Sequence, residues 1–199
     1  MIRRTRARRW CPEPVALVFV LVALSSGCAG AEPTESLVRP DGSPVGVPVP
    51  LVYERVPADQ EGASGWELSR PGGVAGRTKP YGHIVHRQLA PEAVDQLARR
   101  TLRLVSEQGV DPLAVSQSQP GSMTVIDYTE IDEDDWWGAR IRFVATQSEG
   151  QLVVDRLVLI GRGRGDVVEV QFACDARCFM TYGKEIDHIV SSWTTKDEP

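Results

Sequence analysis

From residue 51 onward the apolar positions change period twice. Short alternating stretches at 51–56 (LVYERV), 65–70 (GWELSR) and 82–89 (GHIVHRQL), separated by turn-rich pieces such as Pro71-Gly72-Gly73, predict three strands. At Pro91 the period becomes helical. Val94, Leu97, Ala98, Thr101, Leu104 and Val105 fall on one face, Pro91 suits the first helical position, and Gly109 stands where a helix ends. Further on the period returns to two, and 123–131, 138–148, 151–160 and 166–173 predict four more strands. Ala139, Ile141 and Phe143 alternate with Arg140 and Arg142, and Val168, Val170 and Phe172 with Glu169 and Gln171. One face of the sheet is therefore buried and the other wetter. The connections, among them Glu149-Gly150 and Gly161–Gly165, are of hairpin length, which makes an antiparallel meander. A second helix at 177–192 closes the chain, with Phe179, Tyr182, Ile186, Ile189, Val190 and Trp193 on the face that meets the sheet. Gly183 inside it costs up to about 1 kcal/mol relative to alanine.

Before residue 51 the pattern is different. Ten apolar residues, Val15 to Leu24, follow Arg3, Arg4, Arg6, Arg8 and Arg9 and end in Ser25-Ser26-Gly27-Cys28. The run is too short to cross a hydrocarbon layer that needs about 20 residues. Basic start, apolar core and small residues are the parts of a secretory signal, here one whose cleavage leaves a cysteine first. The stretch resembles the lipobox of bacterial lipoproteins, although Ser25 occupies a place where leucine or valine is usual. That resemblance implies a diacylglycerol thioether on Cys28 and anchorage at the extracytoplasmic face of the cell membrane. The arginine pairs are not followed by a twin-arginine pattern, so the export route stays open. Residues 29–50 hold five prolines (Pro33, Pro40, Pro44, Pro48 and Pro50) and read as an extended spacer. The expected organisation is a signal peptide at 1–27, a lipidated cysteine and linker at 28–50, a folded domain at 51–195 and a tail at 196–199.

Charge narrows the function classes. Of the 22 basic residues five precede Cys28, and of the 27 acidic ones only Glu13 does, so the mature chain carries a formal charge of −9. Such a surface repels phosphate backbones, which argues against nucleic acid. Four cysteines are present; Cys11 leaves with the signal and Cys28 is the lipid site, leaving Cys174 and Cys178 as a pair in an oxidising compartment. A disulfide between them is expected. A zinc site would need further ligands from His83, His86 and His188, and is the weaker reading. His83 and His86 are three apart, face opposite sides of a strand and read as surface or edge residues.

The sequence holds no Gly-x-Ser-x-Gly elbow, His-Glu-x-x-His, phosphate loop or dinucleotide fingerprint. No catalytic residue, metal or cofactor is therefore expected. The acidic run Glu130–Asp135 lacks the glycine and spaced glutamate of a calcium loop and reads as a solvated hairpin tip. At its end stand Asp134, Asp135, Trp136 and Trp137, the candidate spot for a protein partner: aromatic residues supply much of the energy at interfaces, and carboxylates speed encounter with a basic surface. Two adjacent tryptophans on a strand point to opposite faces. The competing reading is that each layer of the protein covers one ring.

The element order, the step Trp137-Gly138-Ala139-Arg140 opening a meander strand, and the final helix ending Ile186-Asp-His-Ile-Val-Ser-Ser-Trp193 together resemble the PsbP-like fold, in particular the LpqN-type lipoproteins of actinobacterial envelopes. The resemblance spans about residues 51–193. It implies an α+β architecture, an α-β-α sandwich around an antiparallel sheet, used as a non-catalytic binding or assembly module for another envelope protein or a wall component. A carrier of a lipid or small apolar ligand, held between sheet and helices, is the alternative.

Overall fold

The computed structural model describes residues 34–97, 121–133 and 135–195. In chain order these form β1 (Glu35–Val38), β2 (Val45–Pro50), β3 (Glu54–Pro57), β4 (Ala63–Ser69), β5 (Tyr81–Gln88), α1 (described over 91–97), β6 (Met123–Glu133), β7 (Trp136–Gln147), β8 (Gly150–Gly161), β9 (Asp166–Asp175), α2 (Ala176–Ser191) and β10 (Thr194–Thr195). Seven strands make one sheet in the order β3-β4-β5-β9-β8-β7-β6, every pairing antiparallel. The meander expected from the period-two stretches is its β6 to β9 half. A small sheet, β1-β2-β10, lies apart from it in pairing.

Alternation along the strands sorts the large sheet into two faces. Leu157, Leu159, Val168, Val170, Phe172 and Cys174 face α2, whose Cys178, Ile186, Ile189 and Val190 complete the main core. The small sheet adds Val45, Val47 and Val49 to that core, each fully buried. On the other face Val158, Ile160 and Val167 pack against Val94 and Leu97 of α1. The two helices therefore cover opposite faces, and the architecture is an α-β-α sandwich. The rest of the first predicted helix, 98–109, lies outside the described residues.

Close approach dictates one sequence choice in the sheet. A Cβ on Gly138 would come 2.0 Å from the Val158 carbonyl oxygen, so only glycine lets β7 and β8 meet there.

Two expectations need correcting. The expected linker at 28–50 is not a spacer over its last two thirds, because β1 and β2 belong to the folded domain and Val45, Val47 and Val49 are core residues. Pro48 and Pro50 are tolerated because β10 pairs only with Val45 and Gly46, leaving that edge of β2 free of ladder bonds further along. The domain thus begins near Pro33, well before 51. Second, 51–56 is not one strand: Leu51–Tyr53 form a turn, with the Tyr53 N–H donating to the Pro50 carbonyl at 3.1 Å, and β3 starts at Glu54.

Candidate functional site

A cleft of about 600 Å³ opens at the end of the sheet where three segments converge. The first is the β4–β5 loop. It is turned by a bond from the Gly76 N–H to the Lys79 carbonyl at 2.9 Å and another from Thr78 to Val74 at 3.0 Å, which presents Ala75, Gly76 and Arg77. The second is the β7–β8 hairpin, contributing Gln147, Glu149, Gly150, Gln151 and Leu152, with Gly150 at φ 132°. The third is the start of α2. Arg77 pairs with Glu149 across the mouth and ties loop to hairpin.

The start of α2 is held from both sides. Asp175 caps the helix by accepting from the Cys178 N–H at 2.8 Å. Cys174 and Cys178 stand at disulfide distance with Cα atoms 5.7 Å apart, inside the range a bridge needs. Since an extended chain of that length would separate them by about 13 Å, the strand must turn sharply into the helix. That turn carries Ala176 and Arg177 into the cleft wall.

Further along α2 the helix is locked to the sheet by charge. Asp155 on β8 is fully buried and accepts from two guanidiniums: Arg140 through Nε at 2.9 Å and Nη2 at 2.7 Å, Arg142 through the same atoms at 2.9 and 2.6 Å. Both arginines reach on to Asp187 of α2, at 2.7 and 3.0 Å. The Arg140 hydrogen bond, more than burial opposes it, holds the Asp187 carboxyl below the usual carboxylate range. The Arg142 guanidinium also lies 5.2 Å above the Phe179 ring. Phe179 in turn explains Gly183, since a Cβ there would meet the ring at 3.1 Å. A second network joins Glu185 to Arg70, at 2.7 Å, and to the Tyr53 hydroxyl at 2.8 Å. Burial first, and the Glu185 carboxylate second, push that hydroxyl above its ordinary range. Next to it Lys79 donates to the Tyr182 hydroxyl and lowers its pKa.

His83 and His86 are not edge residues, which corrects the reading of β5. That strand lies between β4 and β9, so both of its edges are hydrogen-bonded, and His86 is buried while His83 is partly buried. His86 is buried on the α2 side, 2.9 Å from Asp166, and His83 lies on the other face 3.3 Å from Glu169. Burial alone would raise the Glu169 pKa. The His83 hydrogen bond and the Arg156 guanidinium at 3.0 Å outweigh it and bring the carboxyl down to about 2. Among the described residues no group of three His, Cys, Asp or Glu side chains is arranged to hold a metal.

Of the residues singled out in the sequence, Cys28 and Asp134 lie outside the described residues. Trp136 is 4% exposed and part of the main core, so it is not a partner-facing residue; its neighbours on that face are Leu159 and Ile131. Trp137 points to the opposite face, half-buried against Val158, Ile160 and Val167, with its indole N–H 3.4 Å from Glu130. The two rings thus lie on opposite faces of the sheet, Trp136 buried and Trp137 half-buried. Asp135 is exposed and lies 3.8 Å from Arg164, and Asp132 pairs with Arg162, so charges of the neighbouring turn engage this hairpin tip. The cleft's loop and hairpin residues were not singled out in the sequence. Their signal was weak: a glycine-rich loop and a hairpin turn, with only the cysteine pair marking the place where they meet.

Comparison with known proteins adds the fold. No family model and no curated protein sequence matches the chain. Among solved structures, the cyanobacterial PsbP of Synechocystis aligns over 86% of this chain and 98% of its own, with a TM-score of 0.51 and 13% identity. LpqN of Mycobacterium tuberculosis, involved in cell envelope biogenesis, aligns over 80% and 89% with a TM-score of 0.48 and 13% identity. A Pseudomonas aeruginosa protein of unknown function aligns over 84% and 99%, with a TM-score of 0.45 and 14% identity. At these identities the likeness concerns fold alone: the chain has the α+β sandwich of PsbP-like proteins.

Proposed function

We propose that the protein is a lipid-anchored module of the cell envelope, held at the extracytoplasmic face of the membrane through Cys28, which binds another envelope component without chemical turnover. Location rests on the signal pattern and its terminal cysteine. The observation that carries a binding role, as against the carriage of an apolar ligand, is where space remains. Between the sheet and α2, Phe172, Leu157, Leu159, Ile186 and Ile189 are sealed together in one core, while the 600 Å³ cleft opens at the sheet's end among amides, small residues and ion-paired charges. Such a lining suits reversible contact with a polar partner surface. The segments that form it are braced by the cysteine pair and by the Arg77–Glu149 bridge, which keeps the ordering cost of binding small.

The test is photo-crosslinking from Gln151 in the native membrane, compared with the same label at Met180 on the exposed side of α2. A binding cleft gives a discrete crosslinked partner from Gln151 only, lost when Arg77 and Arg177 are both changed to Glu with the melting temperature unchanged. Solvent extraction and mass spectrometry of the purified protein test the carrier reading in parallel, since a stoichiometric lipid would replace the binding role.

A further inference from the structure

Exposed large apolar residues cluster near the point where the chain enters the domain. Leu51 and Val52, in the β2–β3 turn, are 57% and 43% exposed, and Leu37 on β1 is 51% exposed. Because Val45, Val47 and Val49 of β2 point into the core, Pro48 and Pro50 stand on the opposite, outer side of the small sheet, and Leu37 is paired with Pro48. Two charged groups beside this patch are engaged elsewhere: Glu35 lies 3.1 Å from His188, and Arg55 donates to Ser36. The Leu51 N–H donates to the Thr34 carbonyl at 3.0 Å, so the apolar turn sits directly beside the first residues of the domain.

Tether length then decides what meets the patch. Five residues, 29–33, lie between Cys28 and Thr34, and the six steps from one to the other span at most about 20 Å. A domain of this size has a radius of gyration of about 15 Å, so it is wider than its tether is long. If Cys28 is lipidated, as the proposed function holds, the face around Thr34 is kept within about 20 Å of the bilayer. We propose that this face is a membrane-docking surface. Leu51 and Val52 enter the interfacial region of the lipid, and Leu37 and the two prolines lie against it. The two acyl chains of a diacylglyceryl group already anchor the chain stably, so the apolar patch serves to orient the domain on the membrane.

The experiment uses the mature lipidated protein in phosphatidylcholine vesicles. With Cys28 acylated and Cys174 bridged to Cys178, a Val52→Cys substitution supplies the single reactive thiol for a nitroxide; Met180→Cys, at a site 82% exposed, is the aqueous control. Docking predicts that collision with a water-soluble nickel chelate falls about tenfold at 52 relative to 180 while collision with oxygen rises, as for a group a few ångströms into the interface. Adding Leu51→Asp to the labelled protein restores the aqueous value at 52 with the protein still bound to vesicles. Equal nickel accessibility at 52 and 180 in vesicle-bound protein overturns docking and leaves the anchor standing. A mature protein that has an unmodified Cys28 and does not float with vesicles overturns the anchor, and the docking built on it.

Discussion

Glu169 ties the three middle strands together on the sheet face that carries α1, and its removal gives a pH signature that can be worked out in advance. The carboxylate sits on β9 between His83 of β5 and Arg156 of β8, with its side chain only 12% exposed. Burial pushes its pKa up, but the His83 bond and the Arg156 charge bring it from 4.5 to about 2. A drop of that size corresponds to about 3 kcal/mol of folding stability. The group is depressed in the folded state, so this contribution is complete above pH 4.5 and is lost as pH falls through about 2. Glu169→Gln keeps the shape and removes the charge. Urea unfolding of both proteins, followed by tryptophan fluorescence from pH 7 down to the onset of acid unfolding, gives a stability gap at each pH. The other carboxylates act on both proteins and cancel in the difference. The gap is expected to be about 3 kcal/mol at pH 6 to 7 and to close progressively below about pH 4.5. A gap that stays constant over that range would refute the electrostatic account and reduce Glu169 to a packing residue.

Three further outcomes can be checked by thermal or urea unfolding. Trp136→Ala, opening the main core, should cost about 3–5 kcal/mol, whereas Trp137→Ala, at a half-buried site, should cost clearly less; equal costs would contradict their placement. The double Cys174→Ser, Cys178→Ser protein should lose about 2 kcal/mol, and denatured, non-reduced mature protein should show no free thiol. Gly183→Ala should destabilise even though alanine favours a helix by up to about 1 kcal/mol, because the new Cβ would press on Phe179 at 3.1 Å; a more stable variant would show that the ring moves freely.

How much of this could be read in the sequence depended on whether the signal was local. The four strands from 123 onward and the final helix were legible because each carries its period over eight or more residues, and acidic or glycine-containing turns separate β6, β7, β8 and β9. Two adjacent tryptophans on a strand had to part to opposite faces, and they do. β2 was hidden although Val45, Val47 and Val49 alternate cleanly, because Pro44, Pro48 and Pro50 speak for a spacer unless one knows that the partner strand leaves an edge free. That knowledge is tertiary, and missing it stretched the tether from about six residues to more than twenty. The proposed function changes with it, from a domain on a long tether to one held close to its anchor.

The arginines of β7 show the same limit from the polar side. Alternation marked Arg140 and Arg142 as the wetter face of the strand, yet that face is the one α2 covers. Their pairing with a fully buried Asp155 lies 13 to 15 positions away in the chain. An apolar-in, polar-out rule fails there because two guanidiniums share one carboxylate and then reach Asp187 on the helix, which satisfies charges that would otherwise forbid burial. The network sits directly behind Phe179 and Gly183, so the glycine that weakens α2 by propensity is the residue that lets the helix settle onto the sheet. Asp155, Arg142, Phe179 and Gly183 are thus one device for fixing α2, and through α2 the bridged turn at Cys174–Cys178 that walls the cleft. Loosening the device at Gly183 should therefore weaken partner crosslinking from Gln151 even though neither residue touches the other.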